Sequence, residues 1–125
     1  MARIENYKKA YSLLHEVLTA RTNIKLLREE IQTLREQGET SQAESIPDLI
    51  EQYTFKLSES MGYVQRAFDL IQKLEPRYAE LLYLKYFKGL KGKDFENAID
   101  ISCRHARNLE VRAFEELEKI LDSVS

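Results

Sequence analysis

The chain has 125 residues with 19 Lys and Arg against 21 Asp and Glu, and its formal charge of −2 excludes a histone-like polycation. With 32% charged residues, 43% hydrophobic residues, 4 Gly and 2 Pro, it is too apolar to be disordered and too poor in turn residues for a many-stranded β fold. We therefore expect an all-α protein.

The sequence also predicts where the protein is found. Its one cysteine, Cys103, can form neither an internal disulfide nor a zinc site, which fits a reducing compartment. No stretch reaches the roughly 18 apolar residues of a membrane span, and the N-terminal residues lack the apolar core of a signal peptide. We expect a cytoplasmic protein that does not contact a membrane.

The charges are segregated along the chain. Residues 1–75 carry 10 basic and 12 acidic side chains, residues 76–112 carry 8 and 5, and residues 113–125 carry 1 and 4. The basic excess is confined to the middle segment. A local excess of this kind is what an electrostatic contact with nucleic acid requires, although charge alone does not establish one.

Residues 4–35 contain no Gly or Pro and predict one long helix. Apolar residues alternate at spacings of three and four, as in the seam of a coiled coil. The seam consists of Leu13, Val17, Ala20, Ile24, Leu27, Ile31 and Leu34. A second stripe lies beside its first half: Ile4, Tyr7, Tyr11, Leu14 and Leu18. The first half of this helix should therefore pack on two sides.

A polar segment, residues 37–45, predicts a loop, with Gly38 suited to the C-terminal cap of the first helix. Pro47 fits the first position of a second helix over residues 47–74. Its apolar residues again follow the spacing of three and four: Ile50, Tyr53, Leu57, Met61, Val64, Phe68 and Ile71. Gly62 weakens the middle of this helix by roughly 1 kcal/mol relative to Ala.

Together the two helices predict an antiparallel, coiled-coil-like hairpin about 40 Å long, which forms an arm over residues 1–75. Each helix buries only one stripe within such a pair, so a further partner is expected: the C-terminal domain, a second copy of the chain, or both. We expect a homodimer formed through these helices. The alternative is an intramolecular support with no partner.

Residues 76–125 predict a domain of three helices. Pro76 begins the first, and Gly89 follows it as a natural C-terminal cap. The second helix covers residues 93–99. Ser102 is a good N-cap for the third, which runs to about Leu121.

The second and third helices fit a helix-turn-helix, in which apolar residues occupy fixed offsets because the helices meet at few points. The offsets are occupied by Phe95, Ile99, Ile101, Ala106 and Leu109. Asp100 stands where the turn usually has a left-handed Gly, a conformation that Asp tolerates. Glu96 departs from the pattern, because a small residue normally allows close approach there.

With these residues in view, the 29-residue segment GLKGKDFENAIDISCRHARNLEVRAFEEL, residues 89–117, resembles the helix-turn-helix of region four of bacterial primary sigma factors. The preceding LEPRYAELLYLKYFKGL resembles the helix that leads into it. The run SCRHARNLEVRAFEEL, with a long helical arm before it, is still more similar to the small sigma-like phage and prophage regulators of the ArpU and RinA type. The resemblance implies control of late-gene transcription in a bacterial host cell.

The third helix carries the residues expected to read DNA. If Ala106 and Leu109 face the core, polar side chains that can bind base edges lie on the other faces of the helix: Arg guanidinium groups pair with guanine, and Asn amides with adenine. By resemblance, the DNA-facing positions are Cys103, Arg104, His105, Arg107 and Asn108, next to the N-cap Ser102. Cys103 and Arg104 differ from the Arg-Glu pair usual there, so the promoter element of sigma factors is not implied. Lys91, Lys93 and Arg112 are better placed to contact phosphates.

Three groups of residues in this region also admit other roles. Cys103 is expected to be a small, partly buried packing residue rather than a redox sensor. Tyr78, Tyr83 and Tyr86 are expected to pack rather than stack on bases. The acidic run of Glu115, Glu116 and Glu118 is typical of a solvated face.

We expect no enzymatic activity, cofactor or metal, because the sequence has no phosphate-binding loop and no paired carboxylates. Two other functions stay open. One is a DNA-packaging protein of the small terminase subunit type, and the other is a sigma-like protein-interaction module that does not bind DNA. RNA polymerase is an alternative partner to a second copy of the chain.

Overall fold

The computed structural model describes residues 3–40 and 44–124 and contains only helices within them. A 3-10 turn, Ile4–Asn6, precedes the long helices α1 (Lys8–Thr40) and α2 (Ser45–Ile71). Three further helices follow: α3 (Pro76–Leu82), α4 (Gly92–Ile99) and α5 (Cys103–Val124). A π-helical segment, Tyr83–Phe87, continues α3. The expectation of an all-α protein is confirmed.

α1 and α2 pack against each other along their length with their contacts in opposite chain order. The Tyr63 hydroxyl donates to Glu16 at 2.6 Å near the start of α1. At the other end, Ile46 of α2 lies beside Gly38, with its side chain 3.5 Å from where a Cβ of residue 38 would be. The buried apolar positions of the pair cluster near its two ends: Val17, Ala20, Ile31, Leu34, Ile46, Ala67 and Ile71.

The expected helix ends between α1 and α2 were wrong in position. α1 continues through Gly38 to Thr40; Gln32 donates to Glu36 one turn later at 3.1 Å, which favours the helix, and Ile46 of α2 lies beside Gly38. α2 begins two residues before Pro47, which therefore lies within the first turn, where its missing N–H has no helical partner. The loop residues Ser41, Gln42 and Ala43 lie outside the described residues.

The C-terminal helix bounds follow the local signals more closely. Pro76 is the first residue of α3, α4 begins one residue before Lys93, and α5 continues three residues past Leu121. α2 ends at Ile71 rather than Leu74, in a turn in which Leu74 donates to the carbonyl of Ile71 at 3.0 Å.

α3 does not continue as a regular α-helix to Phe87. The N–H of Lys88 donates to the carbonyl of Tyr83, five residues back, at 2.9 Å, which is the π-helical pattern. Leu81, Leu82 and Tyr86 are buried, whereas Leu84 and Phe87 are only half-buried. Tyr86 packs as expected, and Tyr83 packs at the edge of the fold against Phe68 and Phe87.

The main hydrophobic core joins the C-terminal helices to the first half of α1. Ala10 and Leu14 of α1 and Ile71 of α2 share this core with α3, α4 and α5. α1 therefore packs on two sides in its first half, as its two apolar stripes predict. The division into residues 1–75 and 76–125 stays a prediction, and side chains of both parts meet in this core.

Polar contacts attach α1 to the C-terminal part of the chain, among them an ion pair between Lys9 and Asp122 at 2.7 Å. The carboxylate of Glu118 accepts from the backbone N–H groups of Lys9 at 3.1 Å and Ala10 at 2.8 Å, which are otherwise unpaired donors in the first turn of α1. The guanidinium of Arg21 donates to the carbonyl of Lys88 at 3.1 Å. Residue 89 suits glycine for two reasons. Its φ of 73° lies in the left-handed region, and a Cβ at this position would overlap the guanidinium of Arg21.

Glu118 therefore corrects the expectation of a solvated acidic run. It is half-buried, whereas Glu115 and Glu116 are exposed and pair with Lys119 on the surface. A carboxylate at a helix N-terminus satisfies backbone donors and complements the helix dipole.

We expect Glu118→Ala to lower the free energy of unfolding by about 1 kcal/mol, because it removes the cap of α1. The matched variant Glu116→Ala removes only an exposed ion pair and should change it by less than about 0.5 kcal/mol. Urea unfolding followed by circular dichroism measures both. Equal losses for the two variants would contradict this role of Glu118.

Candidate nucleic-acid interface

The turn before α5 has the geometry that the sequence predicts. Asp100 adopts the left-handed conformation, with φ 59° and ψ 39°, and its N–H donates to the carbonyl of Glu96 at 2.9 Å. The hydroxyl of Ser102 accepts from the N–H of His105 at 3.2 Å, so Ser102 caps α5. Asp100 therefore ends α4 and Ser102 begins α5, as the sequence predicts.

α4 is held in place from α3. Arg77 donates to the carbonyl of Ile99 at 3.2 Å, which satisfies one of the free carbonyls at the end of α4. Phe95 and Ile99 are buried in the core, and the half-buried Glu96 lies on the flank of the helix. These contacts fix the position of the turn that leads into α5.

A buried carboxylate fixes the rotation of α5 about its axis. Glu110 is only 6% exposed; the hydroxyl of Tyr86 donates to it at 2.9 Å and the ammonium of Lys85 lies 2.7 Å away. A buried charge is tolerated when it is paired and hydrogen-bonded in this way. The apolar residues on the same side of α5 are also buried: Ala106, Ala113, Phe114 and Leu117.

The nine residues expected to contact DNA all have exposed side chains: Lys91, Lys93, Ser102, Cys103, Arg104, His105, Arg107, Asn108 and Arg112. The structure brings five of them together around a shallow concavity of about 340 Å³: Ser102, Arg104, His105, Asn108 and Arg112. Arg104, Asn108 and Arg112 follow one another at a spacing of four and share one face of α5.

The other expected residues lie elsewhere on the same end of the molecule. Lys91, Cys103 and Arg107 line a second, more enclosed cavity beside α1 and the π-helical segment. Lys93 is exposed on α4. Cys103 was expected to be partly buried and is instead exposed, because it follows the cap directly and lies at the edge of the buried face.

The basic excess of residues 76–112 is available at the surface. Of the eight cations in this segment, Arg77 and Lys85 are occupied by the contacts described above. Within the described part of the chain, the other six make no ion pair or side-chain hydrogen bond: Lys88, Lys91, Lys93, Arg104, Arg107 and Arg112. The unpaired acidic residues of this segment are Asp94, Glu96 and Asp100, so the excess of three positive charges is unpaired.

The residues that orient this surface are not among those predicted from the sequence. Arg77, Lys85 and Glu110 are not expected to contact DNA. Arg77 positions α4 through the carbonyl of Ile99, and the pair of Lys85 and Glu110 positions α5. The position of Glu110 in the sequence does indicate burial, because it lies four residues after Ala106 and three before Ala113, within the apolar stripe of α5. A carboxylate at such a position requires a buried partner.

In the described ranges, no group of three or more His, Cys, Asp and Glu side chains is arranged to hold a metal ion. Within the same ranges, no helix combines the length and apolar character needed to cross a membrane. Comparisons with protein families, with curated proteins and with solved structures find no match to this chain.

Burial and the neighbouring Glu110 carboxylate raise the pKa of Tyr86 above its usual value of about 10. The folded state therefore keeps this proton at a pH where the unfolded chain loses it. Stability that is fully present below about pH 10 should be lost as the pH rises above it.

We expect Tyr86→Phe to lower the free energy of unfolding at pH 7 by about 1–3 kcal/mol, because Glu110 loses a buried donor. The same variant should lose less further stability than the unmodified protein between about pH 10 and 11. Urea unfolding at several pH values measures both effects. Tyr83→Phe is the matched control, because the Tyr83 ring lies at the edge of the fold, and an equal alkaline loss in all three proteins would refute the role of Tyr86.

Proposed function

We propose that this protein is a sequence-specific DNA-binding transcription regulator of phage or prophage genes. In this proposal, α4 and α5 form a helix-turn-helix of the sigma region-four type, and α5 enters the major groove. α1 and α2 form the hairpin arm. The observation that carries the proposal is the exposed face of the capped helix α5, where the unpaired cations Arg104 and Arg112 lie with Asn108 on the side away from the buried carboxylate.

The side chains on the exposed face of α5 suit the reading of base edges. Arg104 and Asn108 are one turn apart on the exposed face, and their guanidinium and amide groups can form paired hydrogen bonds to guanine and adenine. Arg112 shares this face, whereas Lys91 and Lys93 are exposed outside it; all three can bind phosphates, which position the protein without specifying sequence. The overall charge of −2 opposes non-specific adhesion.

We expect Arg107→Ala and Asn108→Ala each to weaken binding to the DNA upstream of the protein's own gene by about 1–3 kcal/mol, or roughly fivefold to more than a hundredfold. Binding to random DNA of equal length should change much less. Arg35→Ala, which removes an exposed arginine of α1, is the matched control. Fluorescence anisotropy at fixed salt measures all of these affinities, and unchanged binding of both α5 variants would refute the assignment of α5.

Phosphate contacts have a separate signature in this assay. The logarithm of the binding constant should fall with the logarithm of salt concentration, with a slope near −0.9 for each phosphate neutralised. Lys93→Ala should reduce the slope by about one contact while keeping sequence preference. Binding that does not depend on salt would favour the interaction module that does not contact DNA.

The arm supports the proposal of a dimer. The middle of the α1–α2 pair leaves a groove of about 800 Å³ whose apolar lining includes Leu26 and Tyr53. Leu26 is 56% exposed, and Ile24, Leu27 and Leu57 of the two seams are only half-buried. Since one DNA-binding module buries only about 600–1,000 Å² on DNA, a second copy would supply the affinity that one α5 lacks.

We expect sedimentation equilibrium at tens of micromolar to show a dimer that Leu26→Asp converts to a monomer, because a charge in the apolar groove opposes its burial. Gln52→Asp, at an exposed polar position of α2 outside the groove, is the matched control and should stay dimeric. A monomeric unmodified protein would favour direct recruitment of RNA polymerase. Rings of eight or more subunits would favour the small terminase type.

A further inference from the structure

A partly enclosed cavity of about 460 Å³ lies where α1, the π-helical segment, α4 and α5 meet. Its volume falls within the range of small-molecule pockets, about 300–1,000 Å³. The cavity is distinct from the concavity on the exposed face of α5 and from the groove of the arm. Of the nine residues expected to contact DNA, Lys91, Cys103 and Arg107 line this cavity.

The inner wall of the cavity is apolar and held in place. Leu18 of α1, Leu81 of α3 and Phe95 of α4 form part of it, together with the rings of Tyr11 and His15. These two rings stack with their centroids 3.9 Å apart. His15 Nδ1 lies 2.9 Å from the carbonyl of Tyr11, which can only accept, so this ring nitrogen donates.

The polar groups of the cavity differ in whether they have partners. Lys85 is paired with Glu110 and is not available to a ligand. Among the described residues, Lys91 and Arg107 have no partner, and both are exposed. Glu5 is the other carboxylate of the lining, so the available cations outnumber the available carboxylate by two to one.

The π-helical segment is a second, independent feature of the same site. Lys85 and Tyr86 belong to this segment and line the cavity. π-helical turns are rare, and they occur frequently at functional sites.

We propose that this cavity binds a small amphipathic anion, a molecule with an apolar chain or ring and one carboxylate or phosphate group. Its apolar part would lie against Leu18, Phe95 and the stacked rings. Its charged group would contact Lys91 and Arg107 at the mouth. Charge-assisted hydrogen bonds to arginine and lysine supply the preference for an anion.

Isothermal titration calorimetry of the full chain with octanoate, octanol and octylamine tests the proposal without DNA. Octanoate should bind at least tenfold more tightly than the other two probes, which have the same chain length. Arg107→Ala and Lys91→Ala should each weaken octanoate binding by about threefold to tenfold and remove most of the preference over octanol. Arg112→Ala, an exposed arginine of α5 outside the cavity, should leave octanoate binding unchanged.

The position of the bound anion is tested by two matched substitutions. Leu18→Trp would fill the cavity and abolish binding, whereas Leu26→Trp lies in the groove of the arm and should have no effect. The surface variant Arg107→Ala keeps the test valid if Leu18→Trp does not fold. Equal binding of the three probes, unchanged binding by Arg107→Ala, or loss of binding only in Leu26→Trp would each overturn the proposal.

Discussion

The pairing of Glu110 with Tyr86 and Lys85 determines which face of α5 is presented to solvent. A carboxylate that is 6% exposed must be paired, and within the described part of the chain its partners come from the π-helical segment, which sets the rotation of α5 about its axis. In that rotation Arg104, Asn108 and Arg112 share the exposed face. The surface proposed to read DNA therefore depends on a contact on the opposite side of the helix.

α1 packs into the same hydrophobic core as the C-terminal helices. Its first turn is capped by Glu118 of α5, its side chains enter the main core, and Arg21 binds the turn before α4. These contacts oppose an independent motion of α1 relative to the C-terminal helices. In a dimer formed through the arm, the separation of the two α5 helices would then be set by α1 rather than by a flexible linker.

The sequence predicts the elements whose signals are local, and it misses those that depend on a distant partner. Pro76, Asp100 and Ser102 act within one turn of their own positions, and the structure places a helix end or start at each. Gly38 has a local preference for a cap, but α1 stays helical through it, and Ile46 of α2 lies beside it. The π-helical turn and the cap by Glu118 are invisible in sequence, because each is fixed by packing between segments far apart in the chain.

Some features of the candidate site could likewise be predicted from the sequence, and others could not. The exposure of Arg104, Asn108 and Arg112 follows from the period of one helix and was predictable, whereas the separation of Arg107 from them toward a cavity follows from α1 and the π-helical segment. Under the two proposals Arg107 has two anionic partners, a DNA phosphate or base edge and the charged group of a small ligand. One guanidinium cannot fully pair with both DNA and the small ligand, so the binding of one disfavours the binding of the other. Linkage requires that DNA and the ligand weaken each other's binding by the same factor. The position of Arg107 at the border of the two surfaces thus gives a physical basis for coupling between them.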